Sequence, residues 1–131
     1  MDIRSSDFTR PTLEHQGTTP VWWLVPPREM RDETLGGHLE LISEFEIRAG
    51  GEVNTHHHPT YEFYFMLSGR ALMTIEDETR EIGPGDLVKI PPNARHSIKP
   101  AHEHNGIRAL AMAFGVKDAP VVDYSTDPES Y

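Results

Sequence analysis

Gly50-Gly51-Glu52-Val53-Asn54-Thr55-His56-His57-His58-Pro59-Thr60-Tyr61-Glu62-Phe63-Tyr64-Phe65-Met66-Leu67-Ser68-Gly69 is the stretch on which the reading of this chain turns. A glycine pair opens it and Ser68-Gly69 closes it; between them stand adjacent imidazoles, a carboxylate and an aromatic, β-prone run. In an extended backbone successive side chains alternate faces, so His56 and His58 project together while His57 projects the other way. By the same alternation Glu62 shares its face with Tyr64 and Met66. Imidazoles and a carboxylate converging from neighbouring strands predict a divalent-cation site. His96, which follows the Pro91-Pro92 break where another strand begins, is the natural further ligand. Three neutral nitrogens and a carboxylate suit an octahedral ion and leave up to two positions for water or substrate.

Outward from this stretch, short apolar runs recur between turn residues. Val21 to Val25 is β-rich and closed by Pro26-Pro27; Leu39 to Ile47 alternates apolar and polar with the period of a half-buried strand. After the Ser68-Gly69-Arg70 turn, Ala71 to Ile75 returns antiparallel. Glu81-Ile82, Asp86 to Ile90, Arg95 to Lys99 and Ile107 to Phe114 come next. Short strands at this spacing predict an all-β sandwich or barrel. Only Pro27 to Thr34 has the composition for a turn or two of helix, placed to cover one end of the barrel. On the last strand Ala109, Ala111 and Ala113 share one face, and Leu110, Met112 and Phe114 the other. Inward alanines leave room for a ligand; the opposite choice gives a narrow apolar pocket. The expected organisation is one domain, with an N-terminal arm (1–35), a barrel (36–117) and a loose C-terminal tail (118–131).

Composition narrows the chemistry. A chain of 131 residues provides one core, and zero cysteines exclude disulfides, thiol nucleophiles and thiolate metal sites. With 12 Lys and Arg against 21 Asp and Glu, the formal net charge of −9 disfavours nucleic-acid backbones and anionic membranes as partners. The amino terminus is polar, without the apolar run of a secretory signal, and no stretch approaches the roughly 20 apolar residues of a membrane span, so a cytoplasmic location is expected.

Residues 50–69 fit G-x5-H-x-H-x3-E-x6-G, and residues 85–96 fit most of G-x5-P-x-G-x2-H-x3-N. Together they resemble the two signature motifs of the cupin superfamily. The second departs twice, with Asn93 in place of Gly and Pro100 in place of Asn; Asn tolerates the left-handed conformation, so the turn before His96 is expected to survive. The resemblance implies a double-stranded β-helix, the jelly-roll cupin barrel, with His56, His58, Glu62 and His96 around one metal ion. Residues 70–84 alone separate the motifs, which leaves no room for an inserted lid. The pattern H-x-H-x3-E-x-Y with the later His is also similar to that of small cupin dimethylsulfoniopropionate lyases, at His56, His58, Glu62, Tyr64 and His96.

The resemblance and the ligand set lead to the expectation of a metal-dependent enzyme acting on a small oxygenated molecule, a carboxylate or carbonyl. The leading reading is a lyase or isomerase in which the cation polarises the substrate and Tyr64 serves as base; Tyr64 as a barrel-wall aromatic is its plain counterpart. A dioxygenase using the same three-His, one-Glu site and a non-catalytic metabolite-binding cupin are the alternatives. Fe, Mn, Ni, Co and Zn all accept such ligands. A homodimer is expected, with Val21 to Val25 adding to a partner's sheet edge. His102 and His104 read as an exposed loop, and Arg95 as surface by alternation. Tyr61 and Tyr124 are candidate further substrate contacts. Glu40, Glu44 and Glu46 read as a solvated stripe, and His15 and His38 have no partner visible in the sequence.

Overall fold

The computed structural model describes residues 2–33 and 38–116. Ten strands run in the order β1 (Thr12–Glu14), β2 (Thr19–Val25), β3 (Leu39–Ile47), β4 (Val53–His56), β5 (Tyr61–Ser68), β6 (Ala71–Ile75), β7 (Glu78–Ile82), β8 (Leu87–Ile90), β9 (His96–Pro100) and β10 (Ile107–Phe114). They form a six-stranded sheet ordered β1-β2-β3-β10-β5-β8 and a four-stranded sheet ordered β4-β9-β6-β7, antiparallel throughout. This is the all-β jelly roll expected from the sequence. Among the described residues no helix is long and apolar enough to cross a membrane.

Alternation builds the core. Phe45, Ile47, Met66, Met73, Ile90, Ile98 and Ile107 point between the sheets and are buried, while their strand neighbours point outward. Ile98 illustrates the packing: it lies in register with Val53 on one side and Met73 on the other, and burying a side chain of this size stabilises the fold by about 1.5–3 kcal/mol. On β10 the alanines face inward, and Ala111 lies between Ser43 and Tyr64 in the sheet. The small side chain leaves space beside the tyrosine ring.

Two sequence expectations, the short helix and the solvated Glu40, need correction. Residues 27–33 form turns rather than helix: two prolines precede Arg28, whose φ of 70° belongs to the left-handed region, and Thr34 lies outside the described residues. Of Val21–Val25, which pairs with β3 on one side, only Val21 is covered by β1 on the other, so among the described residues no strand pairs with the outer edge of Trp22–Val25. Glu40 is not solvated; it is 7% exposed and burial raises its carboxyl pKa, whereas Glu44 meets solvent in part and pairs with Arg108. The tail assigned to residues 118–131 lies outside the described residues.

The β5–β6 hairpin closes where the chain passes against the β9–β10 loop. Gly69 has a φ of 79°, and a Cβ there would lie 2.6 Å from the Gly106 carbonyl oxygen. Gly50 has the same φ with nothing within 4 Å of its missing Cβ. Gly69→Ala is therefore expected to lower stability by about 2–4 kcal/mol and Gly50→Ala by about 1 kcal/mol, read as urea midpoints. Equal losses at the two positions would remove the contact with Gly106 from the account.

Candidate metal centre

The barrel brings His56, His58 and His96 together from two parts of the chain. His56 ends β4 and His96 begins β9, and the two are register partners across the sheet. Their ring centroids lie 4.3 Å apart, with His58 at 5.6 Å from His56 and 5.2 Å from His96. All three are buried, and each offers a ligand atom within 4.8 Å of the others. Asn93 takes the left-handed φ of 62° expected of it, and its backbone N–H donates to the His58 carbonyl at 2.8 Å, tying the two motifs together.

The outer nitrogen of each ring is engaged. His56 Nδ1 donates to the Asn54 carbonyl at 2.6 Å and His96 Nδ1 to the Ala94 carbonyl at 2.9 Å, each two residues upstream in the chain. The third ring is held at 2.7 Å between His58 Nδ1 and Thr60 Oγ1. A proton fixed on Nδ1 leaves the Nε2 lone pair available, the form in which imidazole binds a metal. His96 Nε2 is buried with no hydrogen-bond partner. Converging nitrogen lone pairs shielded from water fit a divalent cation, and the donor set is that of first-row metals.

Glu62 lies against two of these rings. Its Oε2 is 3.0 Å from His58 Nε2 and its Oε1 is 3.9 Å from His96 Nε2, while the mutually close set remains the three histidines. Burial alone raises the Glu62 pKa, but His58, His96 and a hydrogen bond donated by the Tyr64 hydroxyl together pull it down to about 2. His56 is pushed down to about 3, chiefly by burial and then by the neighbouring His96. His58 moves the other way: burial opposes its charge, yet the Glu62 carboxylate raises it.

Tyr64 is 4% exposed and sits edge-on to Phe45 at 5.0 Å and 6.2 Å from the His96 ring. It lines a cavity of about 60 Å³ with His56, His58, Glu62 and Ala111. The N-terminal arm supplies another part of its lining, including His15, a residue that sequence reasoning missed. The His15 ring lies 5.7 Å from His56, and burial holds it neutral with a pKa near 4. Nothing in its spacing signals this, because His15 reaches the site through a turn in which it and Gln16 both have positive φ. His57, Arg95, His102 and His104 are exposed, as expected. Tyr61 faces outward, away from the cavity, and Tyr124 lies outside the described residues.

Known proteins share this architecture. The family described as Cupin domain matches residues 43–110. A dimethylsulfoniopropionate lyase from Ruegeria pomeroyi is 28% identical over 109 residues, which cover 82% of this chain and 70% of the lyase. An acireductone dioxygenase from Exiguobacterium sibiricum is 33% identical over 78 residues, 56% of this chain and 42% of the dioxygenase. The chain spans about half the length or less of most curated relatives it matches. Among solved structures, that of a predicted oxalate decarboxylase from Thermotoga maritima superposes with a TM-score of 0.76 at 18% identity, covering 88% of this chain and 100% of the other.

Two measurements check the site. His58→Ala is expected to lower the metal content of purified protein by roughly tenfold or more, while the barrel's circular dichroism persists; undiminished metal removes His58 from the ligand set. In metal-free protein, His56 and Glu62 have depressed pKa values, so the unfolded state binds more protons and stability falls as pH drops below 6.5 for His56 and below 4.5 for Glu62. His58, raised when folded, contributes stability below 6.5 that is lost as pH rises through its folded value. The urea midpoint is thus expected to decline from pH 6.5 towards 4, and His56→Gln to flatten that decline. An unchanged slope would contradict the burial of His56.

Proposed function

This chain belongs to the cupin domain family, and on that premise we propose that it is a metal-dependent enzyme of the lyase or isomerase type acting on a small carboxylate or carbonyl compound. His56, His58, His96 and Glu62 are the proposed ligands. The observation that carries the reading is the Tyr64 hydroxyl, buried, lining the cavity and hydrogen-bonded to Glu62. These side chains would hold a divalent cation, which when bound would supply polarisation of a carboxylate or carbonyl and acidify the adjacent C–H. Fe, Mn, Ni, Co and Zn all suit the donor set.

Tyr64 is the proposed base. Its hydroxyl proton is directed at Glu62 in the resting site, so the carboxylate orients the phenol and keeps its oxygen beside the cavity. With its own hydroxyl proton passed to solvent, Tyr64 as phenolate would take the proton from the carbon next to the polarised group; the C–H electron pair would form the new double bond as a leaving group departs with its bonding pair from the following carbon. Ala111 leaves the space beside the ring that such an approach needs. Phe45, edge-on to Tyr64, fixes the plane of the ring and keeps water from that side.

The lyase from Ruegeria pomeroyi supports this reading by matching 82% of the chain. An oxygen-consuming reaction is the second reading, supported by the 33% identity to an acireductone dioxygenase. Both readings call for a small-molecule substrate and the same proposed ligands. The test is a screen of β-substituted carboxylates with metal-loaded protein under anaerobic conditions. Turnover is expected without oxygen, and Tyr64→Phe is expected to lower kcat by about 100-fold or more with its metal content unchanged. Equal kcat in the two proteins removes Tyr64 from the chemistry; turnover that requires oxygen selects the second reading; ligand binding without turnover identifies a metabolite-binding cupin.

A further inference from the structure

Beside the metal centre, part of the cavity is walled by a segment that lies outside the matched domain, and that wall carries two polar groups with no part in the proposed reaction. Thr19, the first residue of β2, is 1% exposed, lines the cavity, and its Oγ1 is buried without a hydrogen-bond partner. Leaving a buried hydroxyl unsatisfied is costly, and such atoms mark places where a ligand or water completes the bonding. His15, across the tight β1–β2 turn from Thr19, lines the same cavity. The Asn54 backbone N–H donates to His15 Nδ1 at 3.3 Å, which puts the ring's proton on Nε2 and makes that nitrogen a donor.

The turn is held in place at a conformational cost. His15 and Gln16 have φ values of 46° and 61°, in the region that non-glycine residues seldom enter. The Arg48 backbone N–H donates to the Thr18 carbonyl at 3.0 Å, and the Thr18 hydroxyl to the His15 carbonyl at 2.9 Å. The barrel therefore fixes both residues against the cavity before any ligand arrives.

Charge and size define what fits. Among the described residues lining the cavity there is no Arg or Lys, and Glu14 stands on the same wall. A second anionic group is therefore disfavoured at the arm, while a neutral oxygen can accept from His15 and bond to Thr19. A cavity of about 60 Å³ points to a small ligand. We infer that His15 and Thr19 form a recognition wall for the neutral oxygen, hydroxyl or carbonyl, of a small monocarboxylate whose carboxylate end meets the metal centre. This rests on the metal-centre reading under the proposed function.

The test uses the Co(II)-loaded full chain, whose visible absorption reports ligand exchange, titrated with 3-hydroxypropionate and with butyrate, its match in size without the hydroxyl. The wild-type protein is expected to prefer 3-hydroxypropionate by about tenfold. Thr19→Val and His15→Phe are each expected to reduce that preference, and the double variant to abolish it, with cobalt content and butyrate affinity unchanged. His15→Gln, which keeps a donor, is expected to retain part of it. Equal affinities in the wild-type protein, or a preference that survives the double variant, overturn the inference. Loss of cobalt from His15→Phe overturns it as well, by making His15 a ligand. A wild-type protein that takes up no cobalt fails at the earlier step and overturns the metal centre itself.

Discussion

Two imidazoles in this barrel are gripped from behind by carbonyls two residues upstream, His56 by Asn54 and His96 by Ala94. That short-range contact decides the chemistry of the site. It fixes the ring plane and the tautomer together, so the only nitrogens left to face inward are lone-pair donors, and the ladder between β4 and β9 sets them side by side. Water is excluded and three such nitrogens crowd within 4.8 Å of one another. In metal-free protein the crowding is relieved by the Glu62 carboxylate, which draws a proton onto His58. A bound cation does the same work with more charge, which is why metal binding and the protonation of this pair compete.

The six-stranded sheet supplies the complementary constraint, which is one of size. At matching register, Ser43, Ala111 and Tyr64 sit side by side across β3, β10 and β5, two small side chains and one large. Were residue 111 as bulky as its outward neighbours Leu110 and Met112, the ring of Tyr64 would lose the space next to it and the cavity would close. The alternation that buries the alanines thus also sends the larger residues of β10 outward, and packing and site come from a single pattern.

Strand alternation is enough to place His56, His58, Glu62 and Tyr64 on inner faces, since two-residue periodicity is a local property that the chain states directly. It also places His57 outside, and the tolerance of Asn for positive φ anticipates the left-handed Asn93 ahead of His96. The inward choice for β10 is not legible, because either set of its side chains makes a consistent strand. Glu40 is misplaced for a related reason: position along a strand reveals which face a residue occupies, not whether another segment covers that face. His15 is illegible altogether. Its route to the cavity depends on consecutive residues of positive φ after the three-residue strand β1, and neither feature has a signature in a His-Gln-Gly-Thr sequence beyond the glycine.

The charge balance of the molecule bears on what a cation at this site would do. The chain carries a formal net charge of −9, the cavity wall contains Glu14 and Glu62, and among the described residues no Arg or Lys lines it. In the metal-free cavity the proton drawn onto His58 is matched by the Glu62 carboxylate and burial keeps His15 and His56 neutral, so an entering anion meets no net positive charge. A divalent ion at the centre would offset the two carboxylates and place positive charge at the histidine cluster. Under the proposed function, that ion would both activate the substrate and attract its carboxylate, so affinity and turnover would depend on one occupancy. The neutral groups of the N-terminal arm, on the inference drawn above, would then choose among small carboxylates by a neutral oxygen.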